Sequence, residues 1–383
     1  MRLMCVIGCL LTASFAVAQD SVRVRPLTMT GYIKDMQTLN FSGDFNDLIT
    51  GNLIHNRLNF RYQPTKKITA GVEMRNRLFW GEEVRLVPDF SSGLPYSSEW
   101  ANLAITWFET ESMLLYTNID RLWVEYATDQ WNVRAGRQRI NWGISTTWNP
   151  NDLFNTYNFL DFDYEERPAC DAVKAHYQFS GMSFTEFAIS RSSNMENNII
   201  AAGRYFFNRS NYDVQVIGGW YLDQPTVGAG WSGSIGNAGF KGEVQYFVLH
   251  HEVIDQLNIS LEADYIFSSG WYVSGGGLYN SRGLNEPISQ WSVASLELSP
   301  RNPMPTQWNV ITFFSKQVTP LFTASLGSVY APKTNLLILL PGLQYNVATN
   351  LDVNLFWQSF FAEQSGVFKG LNHRVFIRFK LSF

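Results

Sequence analysis

The last twelve residues, "NHRVFIRFKLSF" (372 to 383), alternate. His373, Val375, Ile377, Phe379, Leu381 and Phe383 form a nearly all-apolar set. Asn372, Arg374, Phe376, Arg378, Lys380 and Ser382 form a mostly basic or polar one. A period of two means a strand with a different environment on each face. Similar segments recur after residue 26. Tight polar turns separate some of them: "QPTKK" (63 to 67), Asp129-Gln130, Ser180-Gly181, "NRSN" (208 to 211), "GNAG" (236 to 239), "SSG" (268 to 270), "VTP" (318 to 320) and "NVATN" (346 to 350). Longer irregular stretches, at about 81 to 118, 141 to 168 and 282 to 305, separate others.

Short connections on one side and long ones on the other are the asymmetry of an outer-membrane barrel. Counting both kinds gives about eighteen strands of roughly ten residues, the length a tilted strand needs to span a bilayer. Sixteen is the alternative, because 222 to 236 is rich in Gly and weakly marked. The pattern thus predicts an all-β, antiparallel, up-and-down transmembrane barrel over 19 to 383. Its short turns would be periplasmic and its long loops extracellular, and an even count puts both termini on the short-turn side. A β-sandwich of this length would be unusually large for one domain, and a β-helix would show a fixed repeat, which is missing. Only full closure removes the edges of a sheet, so "RVFIRFKLSF" is expected to pair with the first strand. Its terminal aromatic resembles the C-terminal signature that the bacterial barrel-assembly machinery recognises.

The first residues, "MRLMCVIGCLLTASFAVAQD", place Arg2 before an apolar run from Leu3 to Phe15 and the small triplet Ala16-Val17-Ala18. This is the order of a secretory signal over 1 to 18. The run is short for a membrane anchor, and Cys9 stands too early in it for a lipoprotein signal. The best later apolar run, Leu336 to Leu340, is stopped by Pro341. Charged residues make up 16% of the chain, against roughly 25% in globular proteins. Aromatics make up 15%, yet mean hydropathy is only −0.12. That combination suits a barrel whose every second residue meets lipid. A net charge of −4 is too small to imply a nucleic-acid partner. Two of three cysteines lie in the leader, which leaves Cys170 alone, an inert small residue with no intrachain disulfide.

Arg or Lys at the middle of the lipid face costs roughly 2–4 kcal/mol, so charges at regular parity are expected to face the lumen. In "LIHNRLNFRY", His55, Arg57, Asn59 and Arg61 face in, while Ile54, Leu58, Phe60 and Tyr62 face out. Later strands add Glu73, Arg75, Arg77, Arg121, Glu125 and Arg134, with Arg374, Arg378 and Lys380 at the end. Arg137 and Arg139 break parity, which predicts a bulge near Gly136 or a strand that has left the bilayer. Closure brings the first strands beside the last, so these basic residues gather on one wall. Glu243, Glu262, Asp264 and Asp352 form an acidic wall opposite. The arrangement is similar to the transverse charge of general porins. The plainer alternative is that inward charges pair with each other, as Glu73 and Glu125 could with neighbouring arginines.

The most distinctive stretch is 136 to 177: Gly136-Arg137-Gln138, Trp142-Gly143, Asn149-Pro150-Asn151-Asp152, Arg167-Pro168 and Asp171-Ala172. It resembles a motif of a poorly characterised family of bacterial outer-membrane porin-like β-barrels, of the general porin or alginate-export-like type. Asn-Pro and Asn-Asp favour turns. Arg137, Arg139 and Arg167 are expected to pair with Asp161, Asp163, Glu165 and Glu166, since bidentate pairs fix geometry. The segment then either folds into the pore or braces the rim. Calcium on "DFDYEE" (161 to 166) lacks EF-hand spacing.

No metal signature such as H-E-x-x-H and no G-x-S-x-G elbow is present, so catalysis finds no support. The reading is a passive outer-membrane channel of a Gram-negative bacterium for small hydrophilic solutes, weakly anion-preferring, with no cofactor. The alternatives are a non-conducting barrel that partners a secretion or surface-assembly complex, or a transporter of hydrophobic compounds. "EWANLAITWFETESMLLY" (99 to 116) suggests the latter, as a helical plug, an apolar capture site or a loop on the rim.

Overall fold

A computed structural model describes residues 26–43, 45–94, 100–156, 158–161, 163, 165–179, 181–191, 199–248, 255–287 and 298–383. The expected signal at 1 to 18 lies outside them, as do His250 and His251. The strands are β1 (Leu27–Phe41), β2 (Ile49–Tyr62), β3 (Ile68–Gly81), β4 (Ala104–Glu109), β5 (Met113–Ala127), β6 (Trp131–Gln138), β7 (Cys170–Gln178), β8 (Phe184–Arg191), β9 (Ile199–Arg209) and β10 (Tyr212–Tyr221). They continue with β11 (Gln224–Ile235), β12 (Ala238–Phe247), β13 (Gln256–Ile266), β14 (Trp271–Asn280), β15 (Trp308–Thr319), β16 (Phe322–Ala331), β17 (Leu336–Ala348), β18 (Leu351–Gln364) and β19 (Val367–Ser382). Each pairs antiparallel with its sequence neighbours, except that β3 passes over β4 to β5. Eighteen strands therefore close the ring, and β4 stands outside the count.

Closure is made by the C-terminal strand. β19 pairs with β1 from Phe41↔His373 to Tyr32↔Ser382. Phe383 and Gly31 exchange reciprocal backbone bonds of 2.9 Å. The terminal phenylalanine is thus the last rung of the closing ladder. The predicted tight turns fall where β2/β3, β5/β6, β7/β8 and the later hairpins meet.

The alternating pattern appears as two faces. Ile54, Tyr62, Leu122, Val124, Tyr126, Trp131 and Val133 are exposed on the outside, with Leu355, Ile377 and Phe379. One polar row crosses this belt. Trp107 Nε1 donates to Thr117 Oγ1 (2.9 Å), which donates to Asn76 Oδ1 (2.8 Å); Asn76 Nδ2 donates to Asn56 Oδ1 (3.1 Å). Asn56 Nδ2 ends the chain on Tyr32 O (3.1 Å). These groups satisfy one another, which removes most of the penalty for polar atoms in an apolar surround.

Two expectations need correction. The stretch 81 to 118 is not one irregular loop. Gly81 is followed by two short helices, α1 (Glu82–Leu86) and α2 (Phe90–Gly93), then by β4, and β5 already begins at Met113. The described part of 99 to 116 is therefore no helical plug. β4 pairs with Leu114–Asn118 on the edge of β5 that β6 uses at Leu122–Ala127. Ile105, Trp107 and Phe108 are exposed there, so the apolar character that suggested a plug completes the outer belt. The second correction concerns Gly136. It has φ +114°, and a Cβ there would stand 2.2 Å from Leu122 O. Yet the pairings of β6 with β5 and β7 run on without a shift. Glycine absorbs the distortion, and Arg137 follows regular parity to the outer face.

Candidate functional site

The segment from Arg139 to Ala169 leaves the end of β6 and turns into the barrel. Its first part docks on the acidic wall. Glu243 is fully buried and accepts the backbone N–H groups of Ile144 (2.5 Å), Ser145 (2.6 Å) and Asn151 (2.9 Å). Glu262 accepts those of Thr146 (2.6 Å) and Thr147 (2.9 Å). Trp142 Nε1 donates to Glu186 Oε2 (3.0 Å), while its carbonyl accepts from Gln215 (2.6 Å). A turn buried without partners would strand its amides; here the wall carboxylates take them.

The motif residues make the turn itself. Asp152 Oδ1 accepts the Trp142 N–H (3.0 Å), and Asn149 Nδ2 donates to Ser145 O (2.8 Å). A Cβ on Gly143 would lie 2.1 Å from Asn149 Oδ1, so only glycine leaves room for that side chain. Pro150 is buried. Trp142 packs with Ile140, Leu153 and Phe154 against Ala188, Ile217 and Phe247. Trp148 reaches a separate apolar cluster with Leu278, Val329, Ile338 and Phe360. The two indoles thus hold the segment against different parts of the wall.

The acidic run then crosses to the basic wall. Asp163 meets Lys34 (2.9 Å) and His55 Nδ1 (2.9 Å). Glu165 binds Arg378 and Lys380, the latter at 2.6 Å. Glu166 accepts from Tyr32 Oη (2.8 Å) and lies 3.7 Å from Arg57. Arg121 caps the carbonyls of Glu166 (3.0 Å) and Arg167 (2.6 Å), and Gln358 holds Leu160 O (2.7 Å).

These contacts correct the expected pairing of the motif arginines with the acidic run. Arg137 instead stands on the outer face with Asp171 (Nε–Oδ1 3.0 Å, Nη2–Oδ2 3.1 Å). Arg137 also donates to Ile119 O and Ala101 O, and Asp171 accepts the Ala101 N–H (2.9 Å). The pair fastens the segment before β4 to the wall. Arg167, at φ +53°, reaches Asn149 Oδ1 at 3.5 Å, and the charge of Arg139 acts on Asp152. Asp161 lies in the field of Arg374, as does Glu83. Among the described residues no group of His, Cys, Asp and Glu is arranged to hold a metal ion.

Several inward charges are occupied before any solute arrives. Arg57, Arg75, Arg77 and Arg121 are buried. Arg57 binds Asp120 (2.5 Å) and Glu73 (2.6 Å), and Arg75 lies 3.4 Å from Asp120. Arg77 sits over the rings of Phe79 and Tyr116. Arg134 binds Glu125 and lies 4.0 Å from the Trp123 ring. Asp264 faces Lys241 (3.7 Å). Asp352 is not on the acidic wall expected of it: β18 lies beside β19, which puts it opposite Lys380 on the basic wall. Arg61 is exposed toward the short-turn end of β2. Parity alone missed Asp120. The ladder steps from Glu73↔Arg121 to Met74↔Ile119, and the skipped residue lets Asp120 point inward beside Arg121. Lys34 and Glu186 sit at ordinary inward parity in β1 and β8 and were available to the pattern.

Two cavities lie on the inner face of the wall. At the long-loop end a cavity of about 590 Å³ is lined by Asp223, Gln224, Gln256, Asn280, Arg282, Arg301 and Asn302. Deeper, a cavity of about 190 Å³ lies between Thr146–Thr147 and Glu262, Asp264, Tyr272 and Phe313.

The loop carboxyls respond to pH in opposite directions. Burial alone would raise Asp163, but Lys34, His55 and Arg77 outweigh it and hold it well below the usual range. Burial pushes Asp152 up to about 7, against the Trp142 N–H and the charges of Arg139, Arg167 and Arg204. Unfolded Asp152 ionises near 3.8, so between about pH 4 and 7 the folded chain holds a proton that the unfolded chain has lost. Stability from this group falls across that window, by up to about 1.4 kcal/mol per pH unit, and levels off above it. Asp152→Asn keeps the Oδ1 acceptor. Its stability relative to wild type should therefore grow from pH 4 to 7 and then stay constant, read from denaturation midpoints in detergent. A constant difference from pH 4 upward would refute the assignment. Asp163 works the other way: its contribution is complete above 3.8 and is lost only as pH falls through its lower folded value.

A closed antiparallel ring of eighteen strands, with an apolar exterior and a loop folded across a polar lumen, defines an outer-membrane type of barrel. The solved structures it resembles share that architecture. Acinetobacter baumannii OccAB4 superposes with a TM-score of 0.58 at 10% identity, over 95% of this chain and 100% of that one. Pseudomonas aeruginosa OccK11 gives 0.56 at 8%, over 93% and 96%. The outer membrane protein opdK of Pseudomonas aeruginosa gives 0.56 at 11%, over 93% and 99%. At these identities the likeness is one of fold. No protein-family model and no curated protein matches the chain.

Proposed function

We propose that the protein is an outer-membrane, porin-like channel for passive diffusion of small hydrophilic solutes, with a weak anion preference. The observation that carries this reading is the loop of 139 to 169, held across the lumen by both walls with a small cavity left beside Thr146 and Thr147. A barrel that served only as a scaffold has no need of so closely fixed a constriction. The extracellular mouth supplies amides and two arginines to a hydrated solute. The resemblance to porin-like barrels points the same way. Purified protein should give stable conductance steps in planar bilayers.

The preference is weak because the loop's own carboxylates cover much of the basic wall. Removing one should uncover cations. Glu165→Gln releases Arg378 and Lys380, both partly exposed. Cationic side chains in a pore favour anions, so the reversal potential in a salt gradient should move toward the anion value, and more at low salt, where screening is weaker. An unchanged potential would place these residues outside the conducting path.

A further inference from the structure

The barrel wall is low at one place. β6, β7 and β8 have 8, 9 and 8 residues, where a tilted strand needs about 9–11 to cross the hydrocarbon. β1 to β3 and β18 to β19 have 14 to 16. Beyond the notch the segment from Trp100 to Glu109 lies against the outside, fastened by Arg137 and Asp171. It leaves a groove of about 510 Å³ beneath Trp100 and Leu103. The floor is Leu122, Val173 and Ile189, all exposed at outward parity, and Arg191 stands in the lining at the long-loop end of β8.

We propose that this groove binds one phosphorylated lipid of the surrounding leaflet, an acyl chain lying on Val173 and Ile189 and the phosphate on Arg191. The proposal rests on reading the chain as an outer-membrane barrel. The groove opens sideways through the apolar belt, so hydrocarbon is what it meets. Its volume falls within the roughly 300–1,000 Å³ of small-molecule sites. Arg137 and Asp171 neutralise each other and leave the floor apolar. Arg191 is exposed and has no ion-pair partner among the described residues, and its planar fork suits a phosphate. It sits where the strand leaves the hydrocarbon, the depth at which a headgroup begins.

The test is native mass spectrometry of the full protein in detergent with added lipid A. Wild type should carry one adduct. Arg191→Gln should bind about tenfold more weakly, the scale of one charge-assisted contact. Val173→Trp fills the groove and should abolish the adduct, while Leu355→Trp, on the lipid face of β18, should leave it. Both replacements are on the outer surface, and heat-modifiable mobility checks that each variant is folded. A conducting wild type without an adduct would overturn this proposal and leave the channel reading intact. An adduct on a non-conducting barrel would do the reverse. Binding unchanged in Val173→Trp would overturn the groove, and equal binding of an unphosphorylated diacylglycerol would overturn the role of Arg191.

Discussion

Asp120→Ala is expected to lower stability by about 3–5 kcal/mol, the usual cost of leaving a buried ion pair without one partner. Asp120 is 1% exposed, and Arg57 and Arg75 are 1% and 3% exposed. Its Oδ2 receives Arg57 and faces Arg75, and its Oδ1 receives Asn118 (2.9 Å). Without it Arg57 keeps only Glu73 and Glu166, Arg75 loses the carboxylate it faces, and two buried like charges are left side by side. Asp120→Asn retains an acceptor and should be milder. Urea titration in detergent, followed by tryptophan fluorescence, reads the difference. Equal midpoints for wild type and alanine variant would mean that water reaches this cluster.

Glu243→Ala should have its main effect on the pore. Three loop amides lose their acceptor, and each donor stranded in a buried place costs about 1–3 kcal/mol. The loop can avoid that cost by leaving the wall, because the barrel strands keep their own ladders. The expected outcome is therefore a folded barrel with a larger single-channel conductance, and a new protease cut near Thr146. Glu243→Gln, which retains one oxygen, should fall between. Unchanged conductance in a folded alanine variant would show that Glu262 and the two indoles hold the loop unaided.

The barrel was legible in the sequence because a strand between lipid and water must alternate. "NHRVFIRFKLSF" and "LIHNRLNFRY" carry that alternation to their ends, and the short turns carry Gly, Pro, Asn and Ser. The closing pair of β1 and β19 followed from the need to remove an edge. The contact partners were not legible. Asp120 and Arg121 are adjacent, and only a bulge lets both face inward. Arg137 breaks no parity; it reads as misplaced only when the segment that covers it, 100 to 103, is unknown. The acidic run of 161 to 166 found its cations more than a hundred residues away in β1, β2 and β19, and no local pattern encodes such distance. "AITWFE" gives no sign in the sequence of being a strand rather than a plug, capture site or rim loop, because its partner is only the first third of β5.

A water-filled pore is tested most directly by the conductance of wild-type protein in planar bilayers, taken with size-graded neutral polymers on the long-loop side. Steady, ohmic steps are expected that small polymers reduce and large ones do not, because the lumen is water-filled and narrowed by the 139 to 169 loop. A folded barrel that inserts and passes no current would contradict it.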